Sequence, residues 1–472
     1  MITAASAGSS RLNANGRLAY IWAISLVAAL GGLLFGYDWV VISGADIFYE
    51  KHFGLTSSFD IGWAKGCALV GCLLGAMLSG MLSDRFGRKR LLIASALLFA
   101  VSSVGTGWAG SYAAFVAWRI VGGAAIGLAS NLSPMYIAEV APAAIRGRLV
   151  SMNQLTIVIG ILLAQLVNWL IAEPVPRGAT VEEIVKSWNG QFGWRWMFAA
   201  TAAPSLLFLV GMFFVPESPR WLAKNGQRDR ARRVLARVGG DAYAGAALAD
   251  IEATLVNEVA RVDFRDLLEP RMKKILFLGV ALAFLQQWCG INVIFYYAKD
   301  VFAAAGYQVS DILLNIVIIG LANLVFTFVA IATVERLGRR FLMLAGWAGL
   351  AVIYLLLGGG FAAKLQGLLL VVLVVAAIGC YACTLAPMTW VVLSEIFPNR
   401  IRGAAMSIAV FALWTGCFTL TYSFPELNQK LGAAGTFWIY AGICVGGWFF
   451  TWTKLPETKG KTLEQIEREL VD

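Results

Sequence analysis

A chain of 472 residues that is 59% hydrophobic and 14% charged, with a mean hydropathy of +0.73, carries about half the charge of a soluble globular domain and excludes that class. Its net charge of +10 is spread in short clusters between apolar runs, which excludes a nucleic-acid surface and reads as a topology signal. One histidine, His52 in an expected external loop, and seven cysteines, all in apolar segments, exclude a histidine-built metal site or triad and a disulfide scaffold.

Residues 1–17 are polar and lack the pattern of a cleaved signal. Twelve apolar runs of spanning length follow, at about 18–42, 62–82, 91–109, 113–138, 149–172, 194–215, 273–298, 310–334, 341–361, 366–393, 403–424 and 434–453. They are continuous rather than alternating, so in lipid they are helices. The first carries Asp38. The second carries a ridge of small residues at four-residue spacing, Cys67, Gly71, Gly75 and Ser79, suited to close helix contact. The fourth carries Arg119 and Pro134, and Pro216 to Arg220 follow the sixth.

A charged stretch, 216–272, comes next and includes the amphipathic piece Arg228 to Val238. The seventh span holds Gln286, Gln287, Asn292, Tyr296 and Tyr297, with Gly290 among them as an expected helix break. Asn323 lies in the eighth span, Pro387 and Trp390 in the tenth, and Trp414 in the eleventh. Both prolines are expected to kink their helices.

Three short motifs recur in order, each displaced by six spans. Asp84-Arg85-Phe86-Gly87-Arg88-Lys89 follows the second span, and Glu335-Arg336-Leu337-Gly338-Arg339-Arg340 follows the eighth. Glu139 and Arg146 flank the first copy of the next motif, and Glu395 and Arg402 flank the second. Pro216-Glu217-Ser218 is matched by Pro456-Glu457-Thr458. The reading is an all-α membrane protein of two six-helix bundles about a pseudo-two-fold axis along the membrane normal. It divides into a segment 1–17, a bundle 18–215, a helical linker 216–272, a bundle 273–454 and a tail 455–472. Lys and Arg concentrate on one set of connections, so the termini, linker and tail are expected in the cytoplasm.

Each motif puts carboxylates and guanidinium groups at cytoplasmic helix ends, where oriented pairs are strong. Asp84, Arg88, Glu139, Arg146, Glu335, Arg339, Glu395 and Arg402 are therefore expected to form a conformational latch that binds the halves in one state and breaks in another. Asp38 and Arg119 are the two charges placed deep in spans, where ionisable groups are functional candidates. Opposite signs suggest that they pair, either as a proton-loading site or as a static structural pair. The amides and aromatics of the second half suit a neutral polyol, since amides donate and accept and aromatic faces cover apolar ring surface. Any one amide could instead join helices.

With these motifs in place, the chain resembles the sugar porter family of the major facilitator superfamily over essentially its whole length. The resemblance rests on Gly80-x-x-x-Asp84-Arg85-x-Gly87-Arg88-Lys89, Pro216-Glu-Ser-Pro-Arg220-Trp-Leu222, Gln286-Gln287-x-x-Gly290-Ile-Asn292-x-x-x-Tyr296-Tyr297 and Pro456-Glu-Thr-Lys-Gly460. The pattern is closest to bacterial xylose–proton symporters. It implies alternating-access symport of a hexose or pentose with protons, or facilitated uniport, or sensing without transport. It implies sugar contacts at Gln154, Gln286, Gln287, Asn292, Asn323, Trp390 and Trp414, and proton coupling through Asp38 and Arg119. Cys417 and Tyr381 stand where the family commonly has asparagine and phenylalanine, and Ile161 replaces a glutamine of the xylose symporters and agrees instead with the glucose facilitators. No enzyme chemistry, cofactor or metal is expected. The expected partners are a monosaccharide, protons and the bilayer, with a functional monomer in a bacterial inner membrane.

Overall fold

The structure is a computed structural model that describes residues 15–176, 178–258, 269–397 and 402–459. The first half comprises α1 (Asn15–Val40), α2 (Ile42–His52), α3 (Ser58–Phe86), α4 (Arg88–Gly107), α5 (Tyr112–Val140), α6 (Ala143–Ile171), α7 (Val181–Lys186), α8 (Trp194–Ala199) and α9 (Ala202–Phe214). Three short helices follow, α10 (Pro219–Lys224), α11 (Arg228–Gly239) and α12 (Asp241–Glu258). The second half comprises α13 (Pro270–Trp288), α14 (Ile291–Tyr296), α15 (Ala298–Ala304), α16 (Val309–Leu337), α17 (Arg339–Ala362), α18 (Leu368–Cys383), α19 (Leu385–Ile396) and α20 (Arg402–Lys454).

Eleven helical stretches among the described residues are long and apolar enough to cross a membrane. Twelve were expected, and the difference lies in α20. Its 53 residues would extend about 80 Å, far beyond a bilayer core of about 30 Å. Gly432, at φ 67° and ψ 175°, interrupts the helical backbone there and divides it into two spans. The first span is longer than expected. It passes Val41 into α2 and ends at His52, whose ring packs against Trp194 and takes contacts from Gly190 and Arg195. His52 is thus a helix end and not a free loop residue.

Small residues set how closely the helices approach. A Cβ on Gly71 or Gly75 of α3 would lie 2.1 or 2.3 Å from the carbonyl oxygen of Ile120 or Ala124 on α5. From the other side, Gly123 and Gly127 face the carbonyls of Ala68 and Cys72 at 1.9 and 2.3 Å. Both helices therefore present glycines four residues apart to each other, a contact that any side chain would push open. Large apolar side chains such as Phe214 and Leu368, 82% and 73% exposed, form the outer surface that lipid covers.

Proline has two outcomes. Pro134 lies inside the continuous helix α5. Before Pro387 the backbone breaks at Thr384 (φ −128°, ψ −87°), between α18 and α19. The seventh span breaks at Gly290, as its sequence suggests, with φ 89°. The helices α10 to α12 share a small apolar cluster of Trp221, Leu222, Ala231, Leu235, Ala244 and Leu248.

The sequence repeat is a repeat of geometry. Gly87 and Gly338, at φ 91° and 87°, turn the chain from α3 into α4 and from α16 into α17. Glu217 Oε1 then accepts the backbone N–H groups of Arg88 and Lys89 at 3.0 and 3.1 Å. Glu457 accepts those of Arg339 and Arg340 at 3.0 and 3.1 Å. Each carboxylate caps the exposed N–H groups of a helix start that has no cap of its own.

Candidate functional site

The Asp38–Arg119 pair forms in the middle of the first half. Arg119 Nη1 donates to Asp38 Oδ1 at 2.9 Å, Nη2 to the Asp38 carbonyl at 3.4 Å, and the guanidinium lies 5.4 Å from the Phe198 ring centroid. The side chains are 5% and 2% exposed. A buried pair resists separation because each charge left alone in a low-dielectric site costs several kcal/mol. This one is half-saturated: Asp38 Oδ2 and Arg119 Nε have no hydrogen-bond partner. Oδ2 is thus a buried acceptor without a partner among the described residues.

The expected amide constellation forms in the second half, where the break at Gly290 brings α13 and α14 together. Gln286 Nε2 donates to the Tyr381 hydroxyl, Gln287 Nε2 to Gln286 Oε1 at 2.7 Å, and Asn292 Nδ2 to Gln287 Oε1 at 2.6 Å. Asn292 Nδ2 also lies 3.6 Å from Cys417 Sγ. These groups satisfy one another. A polyol hydroxyl can replace each amide–amide bond with one of equal kind. Tyr381 and Cys417, two departures from the family pattern, both touch this chain of amides.

Trp414 is buried and meets Phe35 of α1 at 5.7 Å between ring centroids. Trp39, beside Asp38, stands edge-on to Tyr296 at 5.4 Å. The charge pair and the amide network are thus joined by aromatic contacts across the two halves. Three expected contacts stand outside the network: Asn323 is buried on α16, whereas Gln154 on α6 and Trp390 on α19 are exposed. Ile161 is buried. One turn on, the amide of Gln165 presses on Gly320 of α16 with neither polar atom hydrogen-bonded.

The halves meet at the end opposite the arginine-rich motifs. Trp63 of α3 stands edge-on to Phe418 and Tyr422 of α20, at 6.3 and 6.4 Å. Ser58 donates to Gln429 at 2.7 Å. A Cβ on Gly62 would lie 2.5 Å from the Tyr422 carbonyl oxygen. The sequence reading missed a cluster of charges here: the buried Asp46 and Glu50 on α2 and Lys65 on α3, with the partly exposed Lys299 and Asp300 on α15. The four-residue spacing of Asp46 and Glu50, and Lys65 inside an apolar run, were the available signals.

At the arginine-rich end, Asp84, Arg88, Glu139, Arg339 and Glu395 of the expected latch form ion pairs. Arg88 is bidentate to Glu139, with Nε and Nη2 both at 3.0 Å, and its Nη1 reaches Asp84 at 3.3 Å. Arg339 Nη2 and Nε reach Glu395 Oε1 at 3.2 and 3.3 Å. Ser218 donates to Glu139, and Thr458 donates to Glu395 at 2.5 Å. Asp84 also pairs with Lys224 of α10 at 2.9 Å. These ion pairs of Asp84, Arg88 and Arg339 close within one half or onto α10. Arg146 is exposed. The side chains of Glu335 and Arg402 lie outside those described.

Glu217, Glu457, Ser218 and Thr458, all within motifs legible in the sequence, are the working parts that the reading left unassigned. Burial alone would raise the Glu457 carboxyl. The backbone N–H groups of Lys459, Arg339, Arg340 and Thr458 outweigh it and hold the group below its ordinary value.

The profile of the sugar (and other) transporter family matches residues 24–470. The D-xylose-proton symporter of Escherichia coli (strain K12) is 39% identical over 487 aligned residues, covering 97% of each chain. The arabinose-proton symporter of Bacillus subtilis (strain 168) is 37% identical, covering 96% of this chain and 95% of its own. The inward-open structure of the xylose transporter from Escherichia coli has a TM-score of 0.84 at 38% identity, over 95% of this chain and all of that one.

Proposed function

This chain belongs to the sugar transporter family, and from that premise we propose that it is a proton-coupled symporter of a hexose or pentose that works by alternating access. The observation that carries the coupling is the half-saturated Asp38–Arg119 pair, with one carboxylate oxygen paired and the other free in a buried site. Gln286, Gln287 and Asn292 bind the sugar hydroxyls, and Trp414 covers an apolar face of the ring. Gln154, Asn323 and Trp390 complete the site as the halves close around the sugar.

The basic end is cytoplasmic by its Lys and Arg excess. On that reading both termini lie inside, the membrane is a bacterial inner one, and the end at which Trp63, Phe418 and Tyr422 bring the halves together is the outer one. The chain acts as a monomer, with one site between its two halves. Asp84, Arg88, Glu139 and Arg146, with Glu335, Arg339, Glu395 and Arg402, are the inner latch. Here Asp84, Arg88, Glu139, Arg339 and Glu395 pair within their own half or onto α10, and the set engages the other half when the inner end closes.

Purified protein in liposomes should accumulate a radiolabelled monosaccharide above its outside concentration when an inward proton gradient is imposed. Uptake that only equilibrates, whatever the gradient, would make the protein a uniporter. A panel of competing hexoses and pentoses then identifies the sugar.

Gly290→Ala tests the architecture of the sugar site. A side chain at φ 89° is strained by about 1–2 kcal/mol, and its Cβ would lie 2.7 Å from the Tyr440 ring. The expected result is a protein that still inserts but binds sugar at least about tenfold more weakly, because the break that brings Gln287 to Asn292 is disfavoured. Unchanged affinity by calorimetry would show that the break is not needed.

A further inference from the structure

The cluster of charges at the outer end is balanced only when the two halves are together. The first half brings Asp46, Glu50 and Lys65, two carboxylates and one ammonium. Lys65 and Asp46 are fully buried and paired, and Lys65 also lies 3.6 Å from Glu50. Lys65 reaches across the interface as well: its Nζ donates to the Tyr296 carbonyl at 3.1 Å, stands 3.9 Å from the Tyr297 ring centroid and lies 4.0 Å from Asp300. The second half brings Lys299, which pairs with Glu50 and lies 3.9 Å from Asp46. Asp300 is the most exposed of the five, with 36% of its side chain accessible, so water offsets much of its charge. The ion-paired set Asp46, Glu50 and Lys65 is one positive charge short, and Lys299, 19% exposed, supplies it; Lys51, beside Glu50, is only partly buried and forms no ion pair among the described residues.

From this balance we propose that Lys299 is the interlock of the outer gate: its ammonium neutralises the excess carboxylate of the first half, and the outer end seals only when it does so. Without it, closing the gate would bury two carboxylates against one cation, and an unpaired buried charge is strongly unfavourable. Removing Lys299 from Asp46 and Glu50 is thus a required step of every outward opening. A cavity of about 240 Å³ lined by Glu50, Tyr297, Lys299, Asp300 and Gln429 adjoins the pair, so water can take over both charges as they part. Two latches then serve opposite ends with different designs. The inner one uses arginine–carboxylate pairs duplicated by the sequence repeat. The outer one uses lysines and has no copy in the repeat.

The proposal rests on the alternating-access reading, and hydrogen–deuterium exchange of the full-length protein separates the two. In Lys299→Gln, exchange should rise at least about tenfold at the outer segments 49–58 and 297–308. It should fall at the inner segments 84–90 and 339–345, because the population moves outward-facing. The apparent KM for outside sugar should fall while turnover also falls. Lys299→Arg, and the reversal Glu50→Lys with Lys299→Glu, should return exchange towards the wild-type pattern. General loosening would raise exchange at both ends, and neither variant would rescue it; that result overturns the interlock. An unchanged pattern in Lys299→Gln overturns it as well. If the opposed changes appear in a protein that moves no sugar, the interlock stands and the substrate assignment falls.

Discussion

Asp38→Asn is expected to abolish sugar accumulation in liposomes carrying an imposed proton gradient, while exchange of sugar across the membrane persists. Asparagine keeps the shape of aspartate and an oxygen for Arg119 Nη1, which now sits 2.9 Å from Oδ1. It cannot take up or release a proton. In the wild type, protonation at the free Oδ2 would cancel the charge that holds Arg119, leaving a buried guanidinium without its counter-ion. The cost of that state, several kcal/mol, is large enough to drive a rearrangement of α1 against α5. The variant is fixed in the neutral form, so binding and rocking remain but the gradient has no handle on them. One pH unit stores about 1.4 kcal/mol per proton, or about tenfold accumulation at one proton per sugar. That factor should fall to one. Gradient-dependent accumulation by a folded Asp38→Asn protein would mean that the coupling site lies elsewhere.

Gln287→Ala is expected to weaken sugar binding by about 10- to 100-fold, equivalent to roughly 1–3 kcal/mol. Gln287 is the hinge of the amide chain, donating to Gln286 at 2.7 Å and accepting from Asn292 at 2.6 Å. Truncation removes one set of sugar contacts and leaves the neighbouring Gln286 oxygen and Asn292 amide short of a partner. Calorimetry on the purified variant gives the affinity, and elution as a single species shows that the fold survives. Wild-type affinity would remove Gln287 from the site.

The architecture was largely legible because lipid permits so few alternatives. Continuous apolar runs had to be helices, and the duplication of three motifs had to be a repeat of structure, as the matched placements of Glu217 and Glu457 bear out. The break at Gly290 was legible from one residue. What escaped was information spread across the chain. Asp46 and Glu50 ended the apparent first span because each looks like a loop residue alone; Lys65 and Lys299, distant in sequence, make them tolerable inside a helix that continues to His52. Glu217 and Glu457 were visible in their motifs, but only folding aims them at the starts of α4 and α17. Arg88 with Glu139, and Arg339 with Glu395, pair within their own halves, because a sequence specifies the groups that can pair and not which conformational state is occupied.

The central claim is that sugar and proton cross together, and sugar-elicited proton movement tests it most directly. Protein in lightly buffered, de-energised liposomes should alkalinise the medium when an accepted monosaccharide is added outside. The signal should vanish with Asp38→Asn and with a sugar that does not compete for uptake. Sugar entry at the same rate with no change in external pH would contradict the account and make Asp38–Arg119 a structural pair.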